Sequence, residues 1–178
     1  MNDRRLRYEA VFHEVYEPLQ RYARRRADPS TADDVVADAL LVVWRRLDDL
    51  PEGFALPWCY AIARRCLANR RRGDARQVNV VQRLMVERHD EAPQPDPVLE
   101  AALDELDPDD REIVRLWAWE QLPPREIAVV LGISANAAAI RVHRAKGRLA
   151  EAIGRKNREG AGHTVVGSTP LGSKGDQR

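Results

Sequence analysis

No stretch of this sequence is apolar for long enough to cross a bilayer, and its start, MNDRRLRYEA, carries charges where a secretory signal would carry an apolar run. The cytoplasm is the expected compartment. Cysteine is scarce, with only Cys59 and Cys66. On one helix these would sit about 10 Å apart at roughly 1.5 Å per residue, which excludes an intrahelical disulfide. No C-x-x-C pair or Cys/His spacing of a zinc site accompanies them, so both are expected to be core thiols and no metal site is expected. The chain also lacks a glycine-rich phosphate loop and a nucleophile–base pair, which argues against an enzyme. His143 has no carboxylate or nucleophile arranged for catalysis beside it, and His13, His89 and His163 suggest no metal site either.

An excess of one charge is missing too: 29 Lys and Arg against 28 Asp and Glu leave a formal net charge of +1. Any nucleic-acid surface must therefore come from segregation of charge along the chain. Segregation is present. Arginines cluster at Arg24, Arg25 and Arg26, at Arg64, Arg65, Arg70, Arg71 and Arg72, and from Arg141 through Arg144, Lys146 and Arg148. Acidic residues gather at Asp33, Asp34 and Asp38, and again from Glu100 through Asp104, Glu105, Asp107, Asp109, Asp110 and Glu112. The pattern reads as separate faces for anionic and cationic partners.

Hydrophobic periodicity is helical throughout. Tyr8, Val11, Phe12, Val15, Tyr16, Leu19, Tyr22 and Ala23 follow the three-then-four spacing of one amphipathic helix. After Asp28-Pro29-Ser30, a second helix is expected from a cap at Ser30 or Thr31 to about Leu47, with Ala32, Val35, Val36, Ala39, Leu40, Val43 and Trp44 on its stripe. Asp34, Asp38, Leu41 and Arg45 lie on its other sides. A third helix carries Trp58, Cys59, Ile62, Ala63, Cys66 and Leu67 inward and Arg64, Arg65, Asn69, Arg71 and Arg72 outward. These three helices predict one small domain over 6–73.

The segment HDEAPQPDP combines prolines with charges and predicts a flexible linker over 74–96. Beyond it, helix punctuation returns. Asp107-Pro108 is an N-cap with proline at the first helical position, and Gly132 stops a helix that begins near Pro124. Four helices are expected, at 98–106, 108–120, 124–131 and 135–153, in a second domain over 97–156. A disordered tail is expected over 157–178. The fold class is all-α, with two small helical domains.

In PPREIAVVLGISANAAAIRVHRAKGRL, a short helix ends at Gly132, Ile133 can plug the core and Ser134 can cap the next helix: a helix-turn-helix. In its second helix, Ala138, Val142, Ala145 and Leu149 would pack inward. Asn136, Ala139, Ile140, His143 and Arg144 would then face the major groove, with Arg141, Lys146 and Arg148 placed for phosphates or the groove wall. Arginine reads guanine edges, and Ala139 and Ile140 can meet thymine methyls.

GISANAAAIRVHRAKGRL, preceded by LDPDDREIVRLWAWEQLPPREIA, resembles the fourth conserved region of extracytoplasmic-function sigma factors, group 4 of the sigma-70 family. ADDVVADALLVVWRRLDDL is similar to that family's core-polymerase-binding helix, and PWCYAIARRCLANRRR to its −10-reading helix. The resemblance implies an alternative sigma factor that directs promoter-specific initiation. Asp34, Asp38, Leu41 and Arg45 would dock on the clamp helices of the largest subunit of core RNA polymerase. The second domain would meet the flap of the second-largest subunit. Tyr60, Arg64, Arg65, Asn69, Arg71 and Arg72 would hold −10 DNA. Asn136, Ala139, Ile140, Arg141, His143, Arg144, Lys146 and Arg148 would read the −35 element. The partners implied are core polymerase, promoter DNA and a cognate anti-sigma factor, and no cofactor is needed.

Two departures bear on specificity. Many members have asparagine where this chain has Arg65, and a polar or basic residue at Ala139 and Ile140, so the promoter sequence cannot be inherited from a relative. The residues alone also admit a dimeric helix-turn-helix regulator, or a protein that binds RNA or a regulatory partner through its basic helices.

Overall fold

The computed structural model describes residues 2–77 and 96–162, all of whose regular structure is helical: α1 (Asn2–Arg24), α2 (Pro29–Arg45), α3 (Ala55–Gln77), α4 (Pro97–Glu105), α5 (Pro108–Ala118), α6 (Pro124–Leu131) and α7 (Ala135–Gly162), with a 3-10 turn at Leu47–Asp49. The first three helices pack pairwise around one core. In the second group α4, α5 and α6 each pack on α7, and α6 also packs on α3. No single helix among the described residues is long and apolar enough to cross a membrane.

The stripes expected from the sequence become the core. Val11, Val15, Leu19, Tyr22 and Ala23 of α1 meet Ala32, Val35, Val36, Ala39, Leu40 and Val43 of α2 and Cys59, Ile62, Ala63 and Leu67 of α3, all buried. Burial pushes the Cys59 thiol up to about 12. Trp44 departs from its stripe. It is 39% exposed, its ring edge-on to Tyr8 at 5.1 Å with the Arg4 guanidinium above it.

Three helices begin in the same way. Asp28, Asp96 and Asp107 each precede a proline and accept backbone N–H groups of the first turn: Asp28 from Thr31, Asp96 from Val98, and Asp107 from Asp109 and Asp110. The cap of α2 is therefore Asp28, not Ser30 or Thr31, because Pro29 fits the first helical position, where no N–H is needed.

Two helices outrun their expected ends. α3 continues to Gln77, four residues into the segment expected as linker, and α7 continues to Gly162, through the first residues of the expected tail. Near that end, Glu105 of α4 accepts from both Arg155 and Lys156, at 2.7 and 2.8 Å. The remainder of the expected linker and tail lies outside the described residues, apart from Asp96, the cap of α4.

Candidate nucleic-acid interface

The helix-turn-helix is built from α6 and α7, whose axes meet at 104°. Gly132 makes the corner in the left-handed region at φ 67°, and the Ile133 N–H returns to the Ala128 carbonyl at 3.1 Å. Ile133 is half-buried against the core, and the Ser134 hydroxyl accepts the Ala137 N–H at 3.2 Å, so both turn residues act as expected. Ala138, Val142 and Ala145 of α7 are buried and Leu149 is partly buried against the same core.

That packing leaves Asn136, Ala139, Ile140, His143 and Arg144 exposed on the outward side of α7, with Arg141 exposed at its flank. Among the described residues Arg141 and Arg144 have no ion-pair partner. The remaining two cations of the expected set are engaged inside their own domain. Lys146 stands 3.9 Å above the exposed ring of Trp117, and Arg148 donates to Asp110, with Asp107 3.6 Å away. The hydrogen bond to Asp110 holds the Arg148 guanidinium above its usual range.

On α3 most of the cations are tied down. Arg70 bridges Asp34 and Asp38 of α2 at 2.9 and 2.7 Å, Arg71 donates to the Arg26 carbonyl at 3.0 Å, and Arg72 donates to Asn69. Arg65, Asn69, Arg71 and Arg72 are nevertheless exposed. Tyr60 is not: it is 2% exposed and stacked on Tyr22, ring centroids 4.7 Å apart. In this conformation its ring offers no surface to a nucleic-acid base. On α2, Asp34, Asp38, Arg45 and Leu41 share the outer surface, with Leu41 55% exposed beside Trp44.

The two domains meet through charges that sequence reasoning left unassigned. Arg26, two residues past α1, donates Nε to Glu112 and Nη1 to Glu120, both at 3.0 Å, while its guanidinium lies 3.6 Å above the Tyr22 ring. Tyr22 donates its hydroxyl to the other oxygen of Glu112 at 3.0 Å, and Arg25 reaches Glu120 at 2.8 Å. The Arg26 and Glu120 side chains are each only 3% exposed. Burial drives the Tyr22 hydroxyl far above its usual range, and the Glu112 carboxylate beside it adds to the shift. The expected separation of charge into faces for different partners is thus corrected. Several basic and acidic clusters pair with one another, because folding brings opposite charges into reach.

Comparison with known proteins agrees with this architecture. The family model for sigma-70 region 2 matches residues 11–77, and that for sigma-70 region 4 matches residues 98–149. The chain belongs to the sigma-70 family, with regions 2 and 4 both present. No curated protein matches it in sequence. Among solved structures it is similar to a chain of the complex between the sigma factor RpoE and the anti-sigma factor NepR from Bartonella quintana, at 22% identity, TM-score 0.63, covering 82% of this chain and 96% of that one. It is also similar to a chain of the PhyRSL-NepR complex from Sphingomonas sp. Fr1, at 16% identity, TM-score 0.59 and coverage of 94% and 96%. A third is the structure of CnrH with the cytosolic domain of CnrY, at 23% identity, TM-score 0.56 and coverage of 81% and 85%. At these identities the likeness concerns the fold.

Proposed function

We propose that this protein is a non-enzymatic specificity subunit of bacterial RNA polymerase, acting in the cytoplasm, that selects promoters through two DNA-reading helices held apart on the enzyme. The observation that carries this reading is the presence, in one chain, of both sigma-70 regions with a helix-turn-helix whose outward face is exposed and cationic. The outer surface of α2, with Asp34, Asp38, Leu41 and Arg45, docks on the polymerase clamp, and the second domain meets the flap. α7 enters the −35 major groove with His143 and Arg144 foremost and Asn136, Ala139 and Ile140 on base edges and methyl groups, while Arg141 at the flank meets phosphates or the groove wall. Lys146 and Arg148 contribute phosphate contacts once released from Trp117 and Asp110.

α3 follows the melted −10 strand, with Arg64, Arg65, Arg71 and Arg72 along the backbone and Tyr60 and Asn69 toward the bases. Each module alone binds weakly and with strong salt dependence. Polymerase links them and so raises the effective concentration of the second contact once the first is made. An anti-sigma partner is supported by the fold neighbours, solved in complexes whose names include anti-sigma factors.

Run-off transcription with purified core polymerase on a promoter library tests the reading. The wild-type protein should start transcription at a defined promoter class, and both Asp38→Arg and Arg144→Ala should abolish or sharply reduce it. Selection of a duplex site by the protein alone, with no binding to polymerase, would replace the sigma reading with a dimeric regulator.

A further inference from the structure

We propose that the −35 element selected by this protein carries a thymine whose methyl group is read by Ile140, with a guanine read by Arg144 one helical turn further along α7. This rests on the promoter-reading role above and names the bases that role selects.

Ile140 takes no part in the core. Of the six isoleucines, Ile62, Ile113 and Ile127 are buried, Ile133 and Ile153 are partly buried, and Ile140 alone is exposed, at 44%. The inner side of α7 is already filled by Ala138, Val142 and Ala145. A β-branched residue on the outside of a helix also gains nothing from the helix itself, where alanine would serve better.

The surroundings of Ile140 define what covers it. No residue from Ala135 to Ile140 is charged, and Ala135, Asn136, Ala139 and Ile140 are exposed together where α7 leaves the Gly132 corner. Arg141 at the flank and Arg144 one turn on are exposed, and among the described residues neither has an ion-pair partner. An apolar spot bordered by open arginines fits a surface that is anionic at its rim and apolar within. The major groove at a thymine is such a surface: phosphates line its walls, and the C5 methyl of thymine is the one apolar group that any base presents there.

The same side chains reject the alternatives. Neither Ala139 nor Ile140 can donate to guanine O6 and N7 or accept from the cytosine amino group, so a G·C pair beneath them would lose water without gaining a partner. Asn136 stands one turn before Ile140 and can pair with both groove atoms of an adenine, whereas Arg144 can fork onto a guanine. Beyond Arg144 the outward line reaches Gly147, which is exposed and has no side chain to offer. Reading is thus confined to residues 136–144, about 12 Å of helix at about 1.5 Å per residue, or about three to four base pairs. The element is A·T-rich under the first two turns, and its guanine lies at the end under Arg144.

The test uses holoenzyme assembled from core polymerase and the full chain. Selection from promoters randomised across the −35 element gives the preferred sequence. Each thymine in it, on either strand, is then replaced by uracil, which removes the methyl group and leaves every hydrogen-bonding atom in place. At one or two adjacent positions uracil should weaken binding of the wild type about fourfold, the effect of losing one carbon from a packed apolar contact. Ile140→Ala should bind the thymine and uracil fragments equally, with unchanged helix content by circular dichroism. Arg144→Ala should lose preference at the guanine alone, and Ile140→Arg should move the preference at the thymine toward guanine. Indifference of the wild type to uracil at every position, or an Ile140→Ala variant that still discriminates the methyl, would overturn the methyl reading, while selection of any element leaves the promoter-reading role standing. A holoenzyme that selects no element overturns that role and this inference with it.

Discussion

The two cationic helices, α3 and α7, are built from similar residues and put to different use in the free chain. On α7, Arg141 and Arg144 project from a helix whose inner side is locked by Ala138, Val142 and Ala145, and both are exposed, as is His143. On α3, Arg70 is clamped by two aspartates, Arg71 is bound to the Arg26 carbonyl, and Tyr60 is buried. Arginine content alone therefore does not show whether a helix is ready for an anion. The deciding factor is whether the neighbouring elements carry carboxylates at the right height. α6, which sets α7 in place, presents none to Arg141 or Arg144, whereas α2 and α5 present five to the first domain's arginines: Asp33, Asp34, Asp38, Asp109 and Glu112.

The comparison breaks most completely if α7 loses its seat. Ile127 of α6 is fully buried, and Ile127→Ala should cost about 2–5 kcal/mol of stability in denaturant unfolding, with loss of promoter binding to match. Arg144→Ala sharpens it instead. The promoter complex should weaken by about 1–3 kcal/mol in a salt-controlled binding titration, with the denaturation midpoint unchanged, since no partner is lost in the free protein.

Asp28 holds the corner between α1 and α2, two residues from the carbonyl to which Arg71 is bound. Asp28→Ala should cost about 1 kcal/mol at neutral pH. Hydrogen bonding to Thr31 lowers the Asp28 carboxyl below its ordinary range, so the folded state favours the ionised form. Its contribution is present above the ordinary carboxylate range and is lost as pH falls through the lowered value. The stability difference between wild type and Asp28→Ala should therefore shrink as unfolding is measured at progressively lower pH below about 4.

The smallest effect is expected at Gln121, the one residue other than glycine with a positive φ among those described, at 55°. Gln121→Gly relieves that backbone at the corner carrying Glu120. It should stabilise the second domain by at most about 1 kcal/mol in thermal unfolding, the left-handed cost being offset by the freedom glycine adds to the unfolded chain.

Much of this was legible in the sequence, for a local reason. Helical stripes, the Asp107-Pro108 start, the Gly132 stop and the Ser134 cap are set by residues within a turn or two of one another, and they define both the three-helix unit and the helix-turn-helix. The outward positions of α7 followed from the same periodicity. Asp28-Pro29 carried the same signal as Asp107-Pro108, yet the hydroxyls of Ser30 and Thr31 competed for the assignment, and proline decided it. The extension of α7 to Gly162 was hidden by tail-like composition. The contact of Arg26 with Glu112 and Glu120 joins residues 86 and 94 positions apart, and no local pattern encodes such a pairing. The Arg24-Arg25-Arg26 run was visible as a cluster, but its partners were not.

The Arg26 contact also bears on how such proteins can be recombined. A chimera joining this first domain to a second domain from a relative that lacks Glu112 and Glu120 would keep both cationic helices and a full set of caps. It would have no counter-charges for Arg25 and Arg26. Such a hybrid should lose the buried ion pairs that join the domains, so the two halves of this chain are matched to each other.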